Sequence, residues 1–255
     1  MFKPRLLRET AEIALTHLKR FIEPRLTDDF SLRRVSAPLY LPIDSGLNDE
    51  GEAIRFTLPM SGEEVEIVRG LDTWLRSQLI RYDIAPGFGV FTIMNAIRPE
   101  LVENATSSPH VSAWAWQQVV AKDDINEAHL EATCRKLYEL LQKSEKMLLE
   151  MFPHLTATLP ATIEVVKESQ LAELMPDLSE ERREYQYLHD NESKAVLLMD
   201  NSLRSKILIW NKAVGRSLAI AETSINLNRP VASIGGNILR DQLAMQVLHQ
   251  NCLLR

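Results

Sequence analysis

Few side chains in this sequence could do chemistry unaided, and they are scattered. Six histidines, His17, His110, His129, His154, His189 and His249, show no pair at a ligand spacing such as HxxxH. They read as surface or core residues and not as a metal site. The two cysteines, Cys134 and Cys252, lie far apart, and Cys134 falls on a helical apolar stripe, which fits a buried thiol. Ser107-Ser108 and His110 supply a nucleophile and a base by type, but nothing around them forms an elbow or an acid partner. Pro86-Gly87-Phe88-Gly89 and Gly235-Gly236 are too short to cradle phosphates and read as turns. Ser112-Ala113-Trp114-Ala115-Trp116 alternates two indoles with small residues. That pattern predicts a half-buried strand with both rings on one face. The rings read as core and not as a stacking platform, and no functional group lies between them.

The elements that must position any site follow from periodicity. Leu7, Ala11, Ala14, Leu18 and Phe21 or Ile22 recur at helical spacing, so a first helix is expected over Arg5–Phe21. Phe30–Leu41 reads as extended, with Pro38 marking an edge. Strands are expected at Ile54–Leu58, Val65–Val68, Val90–Met94 and Ser108–Val120, and a helix at Thr73–Ile80. Leu130, Cys134, Leu137, Leu141, Leu148 and Phe152 predict a long helix ended by Pro153. Further strands are expected at Ile163–Val166, Ala195–Met199, Lys206–Trp210 and Leu218–Leu227. Helices are expected at Leu171–Met175, Ser179–Leu188 and Ile238–His249. Strand runs interrupted by helices suggest one α+β domain over 1–255, an antiparallel sheet flanked by helices with Trp114 on a central strand. At 255 residues with 45% hydrophobic and 25% charged content, a sizeable core is possible without staples. A net charge of −6 argues against general nucleic-acid binding. No apolar run is long enough to span a bilayer, and Met1–Arg8 is charged with no apolar stretch after it, so a cytoplasmic location is expected.

Over most of its length the chain resembles the ammonia-dependent asparagine synthetases, or aspartate–ammonia ligases. The resemblance is carried by Val35-Ser36-Ala37-Pro38-Leu39, Val65–Arg76 with Trp74-Leu75-Arg76, Phe91–Met94 leading to Ile97-Arg98-Pro99-Glu100, and Trp114-x-Trp116. It continues through Ser169-Gln170, Pro176-Asp177-Leu178, Ile207–Asn211 and Ile234-Gly235-Gly236. Each match is short; their order and spacing together are specific. The resemblance implies the catalytic-domain fold of class II aminoacyl-tRNA synthetases. It also implies a chemistry in which ATP and Mg²⁺ activate aspartate as an adenylate and ammonia displaces AMP. Carried over residue by residue, it makes Asp49 a substrate-site aspartate, Arg76 the close of a Trp-Lys-Arg motif and Arg98 the arginine of motif 2.

The departures are numerous. Leu75 replaces the lysine of Trp-Lys-Arg. Ala113 and Ala115 replace a glutamine and an acid of Asp-Gln-Trp-Asp-Trp. Phe88 stands for a glutamate and Ile93 for a histidine. Ala219, Ala221, Glu222 and Asn226 fall on a Glu-Leu-Ser-Ser segment and an arginine. Gln242 sits at the motif 3 arginine, and a long loop is cut to Asp200–Ser205. Arg240 lies two residues before Gln242, and two positions rotate a helix by ~200°, so it is expected to face away. A methyl or isobutyl group cannot donate or accept the bonds that hold such substrates.

Two readings follow. The preferred one is a non-catalytic or degenerate relative that binds, scaffolds or regulates, with no cofactor and no asparagine formation. The alternative is an ATP-dependent ligase that activates a carboxylic acid other than aspartate, using ATP and Mg²⁺. Asp49, Arg76, Arg98 and Glu222 would then remain of the site, beside an apolar pocket lined by Leu75, Phe88, Ile93, Ala113 and Ala115. Under either reading a homodimer through the first helix and Ser31–Leu41 is expected, with pairing to an active relative or another protein left open.

Overall fold

A computed structural model describes residues 8–103, 106–192, 194–227 and 231–248. The first helix, α1, is Arg8–Asp28; the expected start at Arg5 and the stripe residue Leu7 lie outside the described residues. It runs on past Phe21 and through Pro24. Proline there removes one helical hydrogen bond. The stripe Ala14, Leu18, Ile22 and Leu26, at most 1% exposed, continues across it, and burial of those side chains outweighs the lost bond.

Eight strands form the main sheet. They are β1 (Leu32–Arg34), β5 (Gly89–Ile97), β6 (His110–Val119), β7 (Ile163–Lys167), β8 (Ala195–Met199), β9 (Arg204–Asn211), β10 (Arg216–Asn226) and β11 (Ser233–Leu239). Their order is β1-β5-β6-β11-β10-β9-β8-β7. The inner pairings are antiparallel, as expected. The outermost pairs, β1 with β5 and β7 with β8, are parallel, so the sheet is mixed at its edges. A small antiparallel sheet, β2-β4-β3, is built from β2 (Tyr40–Pro42), β3 (Arg55–Thr57) and β4 (Glu64–Ile67). Phe30–Leu41 is therefore not one extended run: it divides into β1 and β2 around Val35–Leu39.

Two expectations about the C-terminal part need correction. Gly235-Gly236 is no turn but the middle of β11, a central strand paired on both sides. A side chain at Gly235 would come within 2.4 Å of the Trp116 carbonyl oxygen and the Gln117 side chain, and one at Gly236 within 2.0 Å of the Glu222 carbonyl oxygen. The glycines are there for close strand approach. The last helix, α6, then starts later, at Arg240–Leu248.

The remaining helices are α2 (Asp72–Arg81), α3 (Glu127–Met151), α4 (Glu168–Leu174) and α5 (Glu180–Asp190). Helices α1, α3 and α6 pack against one face of the main sheet, where Trp114, Trp116, Ile207, Ile209 and Ile238 join their core. On the other face α2 covers Met94, Ala113 and Ala115, while α4 and α5 cover Val196, Leu198, Leu208 and Trp210. Between those two lids the sheet surface is left open, and the polar residues of β9, β10 and β11 project there. No helix among the described residues is long and apolar enough to cross a membrane.

Candidate active site

The site begins at the first turn of α2. Leu71, which precedes the helix, gives it no side-chain cap. The cap comes instead from Asp49, whose carboxylate accepts the Asp72 N–H at 3.3 Å and the Thr73 N–H at 3.1 Å. A carboxylate at that position satisfies orphan amides and suits the positive end of the helix. Gly70 makes room for it, since an added Cβ would lie 2.0 Å from Asp49 Oδ2. The neighbouring Asn48 accepts the Arg69 N–H at 3.0 Å, and Arg69 in turn pairs with Glu100 at 2.8 Å.

Asp72 opens α2 with its side chain on the cleft. Its Oδ1 is shut off from solvent and accepts no hydrogen bond. Burial, and then the nearby carboxylates of Asp49 and Glu222, push its pKa up to about 7; Arg76 and Arg98 pull it down. All four residues that the sequence kept as substrate-site candidates thus gather around Asp72. Arg76 lies one turn along the same helix and donates to Thr73 Oγ1 at 3.3 Å. Arg98 follows β5 and donates from Nε to the Arg69 carbonyl at 3.1 Å. Glu222 belongs to a row that crosses the sheet: Thr92, Ala115, Asn237, Glu222, Lys206 and Leu198 on successive strands.

The cleft over that row encloses about 540 Å³. Asp72, Glu222 and Asn237 line one end and Lys206, Arg204, Asp200, Glu180 and Glu168 the other. The cations at the far end are engaged, Arg204 with Asp200 at 3.3 Å and Lys206 with Glu180 at 3.2 Å and Glu184 at 3.0 Å. At the near end Asn237, 6% exposed, has an Oδ1 that is buried and accepts no bond. Among the described residues no three His, Cys, Asp or Glu side chains converge to hold a metal ion.

The other positions singled out in the sequence are dispersed. Leu75 is buried beneath α2 with Ala113 and Ala115. Phe88 is 57% exposed in the turn before β5, and Ile93 faces the opposite helical layer. The apolar pocket expected from these five residues does not form, because alternation on β5 sends Ile93 to the far side of the sheet. Gln242 donates to the Thr106 carbonyl at 2.6 Å and lines a smaller cavity with Arg98 and Asp241. Arg240 faces away, as its offset on the helix implies: Nη2 donates to Asn95 Oδ1 at 2.9 Å, and the guanidinium lies 5.7 Å from the Trp114 ring centroid. Cys134 is fully buried against Ser205 Oγ, and burial raises its thiol pKa.

Sequence reasoning missed Asp72 and Asn237. An acid just before the apolar run Trp74, Leu75, Leu79 is a helix-start signal, but periodicity gives no sign that its carboxylate turns inward. Asn237 was hidden because Gly235-Gly236 before it reads as a turn and Ile238 after it as the start of a helix, which leaves no strand to aim it.

Comparison with known proteins bears on the remaining question. The sequence model of the aspartate–ammonia ligase family matches residues 9–207. An aspartate–ammonia ligase of Fusobacterium nucleatum is 34% identical over 231 residues, covering 88% of this chain and 69% of that protein. One of Bacillus cytotoxicus is 35% identical over 262 residues, covering 92% and 80%. Among solved structures, the asparaginyl-tRNA synthetase of Pyrococcus horikoshii complexed with asparaginyl-adenylate superposes with a TM-score of 0.72 at 10% identity, over 97% of this chain and 67% of that one. The Entamoeba histolytica enzyme gives 0.69 at 11%, over 97% and 66%. The structural likeness shows the class II synthetase fold. The sequence relatives overturn the reading of the chain as a non-catalytic protein. The cleft carries polar atoms that the replaced positions did not reveal: Asp72 and Asn237, from α2 and β11, line it, while Ala113 and Ala115 are buried under α2. The sequence model and the relatives show that this chain belongs to the aspartate–ammonia ligase family.

Proposed function

We propose that this protein is an ATP-dependent ligase that makes asparagine from aspartate and ammonia. The observation that carries the reading is the gathering of Asp49, Arg76, Arg98 and Glu222 around Asp72 on an open cleft of the sheet. The family supports the substrate class. Arg76 and Arg98 are cations that act on Asp72, suited to hold carboxylate or phosphate oxygens where negative charge develops. Asp49 fixes the helix that carries Arg76. Mg²⁺ enters on the nucleotide as part of the substrate, and no step is assigned to a resident metal. The reading places the protein in the cytoplasm.

The test uses purified protein with aspartate, ATP and Mg²⁺. Aspartate-dependent exchange of pyrophosphate into ATP is expected, and asparagine and AMP on adding ammonium chloride. Absence of any aspartate-dependent exchange would remove the reading.

A further inference from the structure

The near end of the cleft is oddly furnished for a site that must bind anions. It presents two buried acceptors without donors, Asp72 Oδ1 and Asn237 Oδ1, and beside them the Glu222 carboxylate, paired across strands with Asn237. Unpaired buried acceptors are costly unless a ligand supplies hydrogens. Here three acceptors converge from α2, β10 and β11. A small ligand rich in N–H donors and positively charged satisfies all three at once. Resting on the ligase reading above, we infer that Asp72, Glu222 and Asn237 form the subsite that receives ammonium, with Asp72 the base that turns it into the nucleophile.

An N–H bond of ammonium breaks and its proton passes to Asp72 Oδ1, leaving the nitrogen lone pair. That pair forms the C–N bond at the activated β-carboxyl carbon of aspartate. The carbon–oxygen bond to AMP breaks with its electron pair, and AMP departs. The second surplus proton leaves the tetrahedral adduct for Glu222, and both protons return to water through the cleft. The groups facing Asp72 set its readiness: Asp49 from its loop and Glu222 from β10 hold its pKa up, Arg76 from α2 and Arg98 from the end of β5 hold it down. The balance comes out at about 7, where a general base is most effective at neutral pH.

Asp72→Asn keeps the shape and removes the base. The discriminating probe is hydroxylamine, which is largely unprotonated at neutral pH and needs no base to become a nucleophile, whereas ammonia is largely ammonium. In Asp72→Asn, kcat/KM for ammonium should fall about 100-fold or more. The loss should be selective, so the ratio of ammonium use to aspartyl hydroxamate formation should fall by a similar factor, and a circular dichroism spectrum like that of the wild type establishes that the variant is folded. Glu222→Gln should raise the KM for ammonium. If exchange persists but ammonium and hydroxylamine use fall together, or ammonium use is unaffected, the subsite is wrong while the ligase reading stands. If the wild type shows no exchange at all, the ligase reading falls and takes the subsite with it.

Discussion

Asp72 is held between opposing neighbours, and the balance has a consequence for stability as well as for chemistry. Its pKa rises from 3.8 to about 7 on folding, with burial the largest cause and Asp49 and Glu222 next. The folded chain therefore binds a proton here more tightly than the unfolded chain between those values. The stabilisation from this group is complete below about pH 4 and is lost as pH rises through about 7. Asp72→Asn removes the penalty of ionising the buried carboxyl. It should match the wild type near pH 4 and exceed it at pH 8 by on the order of a few kcal/mol, read as Cm in urea at the two pH values. Asp241, raised to about 6 by burial, gives a slope of the same sign, so the difference between the two proteins isolates Asp72. An equal gap at both pH values would show that Asp72 titrates normally. None of this was legible in the sequence: an acid at a helix start is expected for the dipole alone, and burial of its carboxylate depends on a sheet whose strands come from distant parts of the chain.

At the scale of elements, α2 is the part that sequence and structure describe most alike and yet explain differently. Periodicity placed it within a residue at each end, since Leu75 and Leu79 lie on the buried face and Trp74 packs partly buried beside them. What the periodicity could not supply is its cap, which arrives from Asp49, 23 residues upstream of Asp72. Asp49 was identified through resemblance as a substrate-site residue; here its bonds go to the helix amides that aim Asp72 and Arg76. Asp49→Ala should cost about 1 kcal/mol of stability, as loss of a cap does. It should also lower ligase activity by more than that loss of stability explains, because two site residues ride on the freed turn. Asp49→Asn, which keeps one acceptor oxygen and can still take one of the two N–H bonds, should recover part of the stability. Urea unfolding beside the exchange assay separates the two effects; failure of Asn to restore stability would assign Asp49 another role. The strand β11 shows the opposite case. Its glycines carry a turn signal locally, and only the proximity of β6 and β10 explains them.

At the scale of the whole molecule the sheet order was beyond the sequence, but an unburied patch connects to an expectation that the sequence did raise. Leu39 is 71% exposed, and beside it Tyr40, Ile54 and Phe56 are 41–44% exposed, with Tyr40 and Phe56 in edge contact at 5.6 Å. They sit on the small sheet β2-β4-β3 and the segment leading into it, next to the short edge strand β1. A cluster of exposed apolar side chains beside a sheet edge is the kind of surface that a soluble chain covers. A two-fold pair of chains would bury both copies at once, because the contact is isologous. We propose a homodimer through this face. Light scattering at micromolar concentration should give twice the chain mass, and Leu39→Asp should give the monomer with an unchanged circular dichroism spectrum. The consequence reaches the cleft. Strand β2 leads within a few residues to Asn48 and Asp49, which hold Arg69 and the start of α2. Loosening β2 at the interface should therefore reduce ligase activity even though no interface residue lines the cleft. A monomeric wild type, or a Leu39→Asp protein that remains dimeric, would place the assembly elsewhere and leave the apolar patch to another partner.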